Sequence, residues 1–318
     1  MLIAGPNLTI DRTSTIPELR PGEVLRLADV VVTPGGKGLN VARAARALGV
    51  RAELVAYLPG HTGRAAGELI GEEGVALTGV AVRGEIRSTS VILEPGRATV
   101  LNEPGPPLAD GDWDALEAAV ARALGQHRAL VCSGSLPPGS PDDGYARLVR
   151  AAHDVGRVAV VDANDAVLAA ALAAGADVVT PNLAEAEGLL HNRAGEAVEA
   201  SPAAREHAEA AAAALVEAGA RAAVVTAAAA GAAVAAGGAT TWIDAPRVQE
   251  VRNPIGAGDV LTAALAAALE AGEDVLAAAR RGVAAAAASV EAPRAGDLDP
   301  ARMHGLLASL APLPRTPR

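Results

Sequence analysis

Asn253-Pro254-Ile255-Gly256-Ala257-Gly258-Asp259 runs directly into the apolar stretch from Val260 to Leu269. Gly256, Ala257 and Gly258 carry little or no side chain, so a ligand can approach the backbone closely. A helix opening there turns unpaired N–H groups and the positive end of its dipole outward, which suits an anion. A carboxylate in the same turn, Asp259, can take the proton of a hydroxyl that attacks that anion. These are the minimum parts for phosphoryl transfer, where catalysis is mostly positioning and charge stabilisation. The plain alternative is an ordinary loop in which Asp259 caps the helix.

A second motif, Pro34-Gly35-Gly36-Lys37-Gly38-Leu39-Asn40, leads into a helical pattern over 41–48. Val41, Ala45 and Leu48 share one face, Arg43 and Arg46 take the other, and Gly49 suits a C-terminal cap. Asn40 can both donate to and accept from hydroxyls. Lys37 is followed by Gly rather than Ser or Thr, which excludes a Walker phosphate loop, and the spacing is not that of a dinucleotide fingerprint. The segment reads as a loop that binds a polyol.

With these two motifs the chain resembles the ribokinase-like (PfkB) carbohydrate kinases, in the branch of fructose-1-phosphate and tagatose-6-phosphate kinases. Three further segments carry the resemblance: Asn102-Glu103-Pro104-Gly105-Pro106, Ser133-Gly134-Ser135-Leu136-Pro137-Pro138-Gly139 and Pro181-Asn182-Leu183-Ala184-Glu185. The resemblance extends from the first strand to about residue 300. It implies ATP as donor, Mg2+ as its companion and a ketohexose phosphate as acceptor. Asp259 would be the general base and Gly256, Ala257 and Gly258 an anion hole. Asp11, Gly35, Gly36, Lys37 and Asn40 would form the sugar site, with Arg87 and Ser135 (or Ser133) on the substrate's phosphate. Asn182, Thr226, Gly231, Gly256 and Gly258 would meet the nucleotide, and Asn182 and Glu185 would organise magnesium through water. Asn182 and Glu185 alone, three apart, also fit a solvated helix start.

Four positions depart from that pattern, as does the stretch Asp162-Ala163-Asn164-Asp165, where a turn of small residues is more usual. Thr180 stands where relatives often carry Lys, and Val91 where a second basic residue is usual. Thr89 replaces a common Asn. Ala228, in the turn Thr226 to Ala232, replaces a usual Gly. An Ala held there at positive φ would be strained by about 1 kcal/mol or more. The departures keep two other readings open: a kinase of a free sugar or nucleoside, and a binding protein without turnover.

The elements that must hold these residues alternate. Apolar strand-like runs fall at 52–57, 129–132, 158–161, 178–180 and 222–226. Helical patterns fall at 62–73, 112–124, 142–155, 166–174, 203–218, 259–271 and 274–289 as well as 41–48. This predicts an α/β, ribokinase-like fold with a mostly parallel central sheet covered by helices on both faces. Ligands then bind beyond the carboxyl ends of the strands. Residues 12–33 and 85–103 lack a helical period and predict a small exposed sheet. The resemblance makes that sheet a lid and a site of homodimerisation. The kinase core then comprises 1–11, 34–84 and 104–318.

A chain of 318 residues suffices for such a core. Phe is absent and hydrophobic residues make up 51%, so the interior must rely on Leu, Val, Ile and closely packed Ala. The formal charge of −10 argues against nucleic acid as a partner. Lys37 is the only lysine. The lone Cys132 predicts a buried strand residue without an internal disulfide, and the histidines show no metal-ligand spacing. No leader or membrane span is read, since 222–238 suits sheet and turn better. The expected location is the cytoplasm.

Overall fold

Short β-branched and Leu-rich runs take up strands, and the Ala-rich amphipathic segments between them take up helices. A computed structural model describes residues 1–311 other than 96, 192–198 and 200. The chain opens with β1 (Leu2–Ala4), β2 (Thr9–Thr15), β3 (Val31–Gly35), α1 (Lys37–Ala47), β4 (Glu53–Tyr57), α2 (Gly60–Glu72), β5 (Ala76–Val80), β6 (Arg87–Glu94) and β7 (Arg97–Asn102). It continues with α3 (Asp112–Leu124), β8 (Ala129–Ser133), α4 (Gly144–Asp154), β9 (Val158–Asp162), α5 (Asp165–Ala173), β10 (Val178–Val179), α6 (Leu183–His191) and α7 (Ala204–Glu217). The rest is β11 (Ala222–Thr226), β12 (Gly231–Ala236), β13 (Ala239–Asp244), α8 (Ala257–Glu270), α9 (Val275–Ser289) and α10 (Pro300–Ser309).

Among the described residues the large sheet has nine strands, ordered β13-β12-β11-β10-β9-β8-β1-β4-β5. From β11 to β5 every pairing is parallel, and β12 and β13 fold back antiparallel at one edge. Successive side chains of a strand point to opposite faces, and the core divides accordingly. Ile3, Leu54, Ala56 and Val131 join one cluster with Val41, Val260 and Leu265. Leu2, Ala4, Val55 and Leu130 join the other with Leu116, Leu148 and Leu168. Helices on both faces therefore cover a parallel sheet, as the apolar strand pattern predicts. Cys132 lies on β8 with no exposure. A second sheet of four strands, ordered β3-β2-β6-β7, stands apart from the first.

Two differences from the sequence reading concern element starts. The segment 34–40 is not a loop: β3 reaches Gly35 and α1 begins at Lys37, with only Gly36 (φ 114°) between them. Helix α8 likewise begins at Ala257 rather than Asp259. Glycine near a helix start lowers helix propensity, which conceals both starts. Helix α10, absent from the sequence reading, opens on Pro300 with Asp299 accepting from the Ala301 N–H. The helix expected over 203–218 is α7, and residues 192–198, 200 and 312–318 of the expected core lie outside the described residues. No described helix is long and apolar enough to cross a membrane.

Gly38 serves packing. A Cβ built there would fall 2.7 Å from the Cα of Gly5, so α1 rests backbone to backbone on the chain just after β1. Replacing Gly38 by Ala forces that contact apart at a cost of about 1–3 kcal/mol. Gly71, in α2, has open space where its Cβ would be. Calorimetry of Gly38→Ala should show a lower Tm, whereas Gly71→Ala should match or exceed the parent protein because Ala favours the helix by about 0.5–1 kcal/mol.

Candidate active site

The site residues singled out in the sequence come from two places: Ser135, Asn182 and Thr226 stand at or just past the carboxyl ends of parallel strands, as open sheets of this kind direct, whereas Asp11, Gly35 and Arg87 lie on the four-stranded sheet. The first turn of α8 sets the centre. Gly256 is the N-cap in the left-handed region (φ 84°), which leaves Asp259 three residues in, and no side chain caps the helix. Asp259 is therefore not the cap. The Ala257 N–H reaches back to the Pro254 carbonyl at 3.4 Å. The N–H groups of Gly258 and Asp259 fall among the first-turn donors for which a helix has no internal partner.

Asp259 is 4% exposed, and Asn40 Nδ2 donates to its Oδ2 at 2.8 Å. Burial, with Asp162 and Glu185 nearby, pushes its carboxyl up to about 7 against the opposing pull of Lys37 and Asn40. A carboxyl raised in this way suits a group that must accept a proton near neutral pH.

Lys37, the first residue of α1, donates from Nζ to Asp162 Oδ1 at 3.2 Å and to Glu185 Oε1 at 3.3 Å. Burial by itself would lower the ammonium's pKa, but Asp162, Glu185 and Asp259 more than reverse this and raise it above the ordinary lysine value. Asp162, at the end of β9, went unremarked as a site residue because it reads only as a strand terminus. It also accepts from Ser133 Oγ at 3.2 Å, so that hydroxyl is occupied inside the protein.

Asn182 and Glu185 form a reciprocal box at the start of α6. The Glu185 N–H donates to Asn182 Oδ1 at 2.7 Å, and the Asn182 N–H donates to Glu185 Oε2 at 3.0 Å. This is the pairing expected of a polar cap and an acidic residue three positions on. Asn182 also bridges to Thr226 at the end of β11.

On the other side, Asp11 sits on β2 against the backbone of β3. A Cβ on Gly35 would fall 2.1 Å from Asp11 Oδ2, so only glycine leaves room for that carboxylate. Asp11 Oδ1 is buried with no hydrogen-bond partner in the protein, and burial raises the carboxyl's pKa. An orphaned buried acceptor of this kind fits a ligand hydroxyl. Arg87, at the start of β6, donates to the carbonyls of Asn7 and Glu103. It has no carboxylate partner among the described contacts. Asn7, which the sequence did not single out, donates from Nδ2 to Ser135 Oγ at 3.0 Å.

Two cavities meet these groups. One of about 600 Å³ is lined by Arg87, Ser135, Asn7, Lys37 and Glu185. The other, also about 600 Å³, is lined by Asn182, Thr226, Gly231, Ala257 and Gly258, with an apolar wall that includes Val251, Val283 and Val290. The first offers cations and hydroxyls. The second offers a flat apolar slot that ends at the open amides of α8. Among the described residues no group of three or more His, Cys, Asp or Glu side chains is arranged to hold a metal ion directly.

The model of the pfkB family carbohydrate kinases matches residues 7–302. Among solved structures, Escherichia coli phosphofructokinase-2 in complex with fructose-6-phosphate is 26% identical with a TM-score of 0.81, over 97% of this chain and 98% of that one. A possible 1-phosphofructokinase from Thermotoga maritima is 23% identical with a TM-score of 0.84, over 98% of each chain. Arabidopsis thaliana ribokinase complexed with ribose and ATP is 21% identical with a TM-score of 0.73, over 96% of this chain and 98% of that one. The likeness to the last two is one of fold.

At the rim of the apolar slot, Ala228 takes φ 46°, the left-handed region in which an L side chain is strained. Glycine would relieve that strain and give back part of the gain through a freer unfolded chain. Ala228→Gly should therefore raise stability by about 0.5–1 kcal/mol in denaturant unfolding. A lowered midpoint would show that the Ala methyl contributes contacts worth more than the strain.

Proposed function

The chain belongs to the pfkB family of carbohydrate kinases, and on that premise we propose that it transfers the terminal phosphoryl group of ATP to a hydroxyl of a ketohexose phosphate, with Asp259 as general base. The observation that carries this reading is the buried Asp259 carboxyl, held by Asn40 Nδ2 at 2.8 Å, in the same turn as the open amides of α8. The acceptor hydroxyl gives its proton to Asp259 as its oxygen bonds to the γ-phosphorus. The bond from that phosphorus to the β–γ bridging oxygen breaks, and ADP leaves. The N–H groups at Gly256 and Gly258, with that of Ala257 if it leaves its 3.4 Å contact to the Pro254 carbonyl, supply donors where charge spreads over the transferring group. Asp11 and Asn40 hold sugar hydroxyls.

The substrate's own phosphate is assigned to Arg87 and Ser135. A guanidinium fixed by two backbone carbonyls keeps donors free for an anion, and the fork suits phosphate geometry. The adenosine is assigned to the slot beside Thr226 and Gly231. For magnesium, Asn182 Oδ1 and both Glu185 oxygens are already engaged within the protein. These residues fit an ion held through its water shell rather than by direct ligation, as magnesium prefers. When bound there, the ion would offset phosphate charge. We assign the four-stranded sheet, 12–33 with 85–103, the role of a lid. It exposes Val32 (43%) and Leu101 (59%), which the register sets in one row across the sheet through Arg12 and Ser90, and such a row fits pairing with a second copy.

A panel of phosphorylated ketohexoses, free sugars and nucleosides, assayed for ADP release with Mg-ATP, tests the substrate. Turnover confined to a phosphorylated ketohexose is expected, and turnover with an unphosphorylated acceptor alone would replace this reading. Asp259→Asn should lower kcat by about 10²–10⁴ while sugar binding persists. In the parent protein kcat should fall as pH drops below about 7, since the base must be ionised to accept the proton. Arg87→Ala should raise KM for the sugar phosphate by about 10–100-fold through the loss of charge-assisted hydrogen bonds, and leave the nucleotide KM in place. Light scattering should give twice the chain mass, and Leu101→Glu should return it to one.

A further inference from the structure

Asn40, the partner of Asp259, is itself held from behind. Arg43, three residues on along α1, is 6% exposed. Its Nη1 donates to Asn40 Oδ1 at 3.1 Å, and its Nη2 donates to the Pro34 carbonyl at 2.7 Å. Glu73, which follows α2, receives Nε and Nη2 of the same guanidinium, each at 2.7 Å. Arg294 Nη1 donates to Glu73 as well, at 3.0 Å, and is pinned in turn by Asp297.

We propose that Arg43, aimed by Glu73, is a positioning residue for phosphoryl transfer: it fixes which way the Asn40 amide faces, and through that amide the carboxylate of Asp259. This deepens the reading of Asp259 as base and rests on it. The argument is one of hydrogen-bond polarity. An asparagine amide has two ends of similar shape and opposite character. An ionised Asp259 only accepts, so it tolerates only the Nδ2 end. Arg43 only donates, so it tolerates only the Oδ1 end. A flipped amide would set N–H against N–H on one side and oxygen against oxygen on the other. With Glu73 taking Nε and one face of Nη2 through a two-pronged contact, Nη1 remains aimed at Asn40.

The same guanidinium also reaches the sugar side. Through the Pro34 carbonyl it anchors the end of β3, next to Gly35, and its charge acts on Asp11. One buried cation thus orients three sugar-facing groups without touching the sugar. The groups that bear on Asp259 itself are Asp162 from β9, Glu185 from α6, and Lys37 and Asn40 from α1. Of these only Asn40 is set by Arg43. Releasing its amide removes a hydrogen bond that favours the ionised carboxylate, so the proton is then held more tightly.

The test compares Arg43→Met, Glu73→Gln, Asn40→Ala and Asp259→Asn by kcat and KM across pH, with each variant's fold checked by circular dichroism. Arg43→Met should lose on the order of tenfold in kcat at neutral pH, because its acid limb moves up by about one unit and each unit below the limb is tenfold in rate. The loss should shrink at high pH, and the nucleotide KM should stay put. Glu73→Gln should move the limb in the same direction by less. In the Asn40→Ala background, Arg43→Met should add little. A folded Arg43→Met protein with an unmoved limb, or a loss that adds in full to that of Asn40→Ala, would overturn the proposal. Where Arg43→Met does not fold, an unmoved limb in Glu73→Gln does the same. If Asp259→Asn keeps full turnover, the base assignment itself fails and this inference with it. If Asp259→Asn is inactive and the limb is unmoved in both other variants, only the inference fails.

Discussion

The ion pair that Lys37 makes with Asp162 and Glu185 is the interaction on which the site depends. A β-strand and two helices deliver three carboxylates to one end of the sheet: Asp162 from β9, Glu185 from α6 and Asp259 from α8. Like charges brought that close repel strongly when burial removes water from between them. The chain has a single lysine, and it is spent here. The ammonium stands among all three carboxylates, which lets them share a small volume. Asp259 keeps only part of that compensation, and burial, with the charge of Asp162, raises its affinity for a proton.

The position of that lysine follows from backbone geometry. Gly36 breaks β3 from α1 in one residue, and Gly38 lets the helix settle against the chain after β1. Lys37 is then carried to the centre of the sheet's end, with Asn40 facing Asp259 and Arg43 behind it. The cavity with Arg87 and Ser135 and the apolar slot beside Gly231 lie to either side of this cluster.

Much of this was legible in the sequence. The continuous apolar runs at 129–132, 158–161 and 222–226 have no polar alternate positions, which is the mark of strands covered on both faces. Small residues next to a carboxylate at 256–259 marked a turn that a ligand can approach, and the structure leaves the start of α8 there without a side-chain cap. The starts of α1 and α8 were not legible, since glycines chosen for close contact or positive φ read as loop. Nor were Asp162, Arg43 and Glu73. Each has an ordinary local role, as a strand end, a helix face and a helix terminus, and its charged partner lies far away along the chain: Lys37 is 125 positions from Asp162, and Arg43 and Glu73 are 30 apart. Asn182 and Glu185 were read for a metal, and the structure shows the local capping pair that the same spacing permits.

Lys37, Gly38, Asn40 and Arg43 fall within seven consecutive positions of one helix and face four sets of neighbours: two carboxylates, the backbone just after β1, the proposed base and the half-buried Glu73. Each residue of an α-helix turns the next by about 100°. Inserting or deleting a single residue within this stretch would swing every later member to a different neighbour at once, whereas substitution disturbs one at a time. The length of the first two turns of α1 is thus under tighter constraint than any one of its side chains. Descendants of this sequence would be free to change letters there long before they could change the spacing.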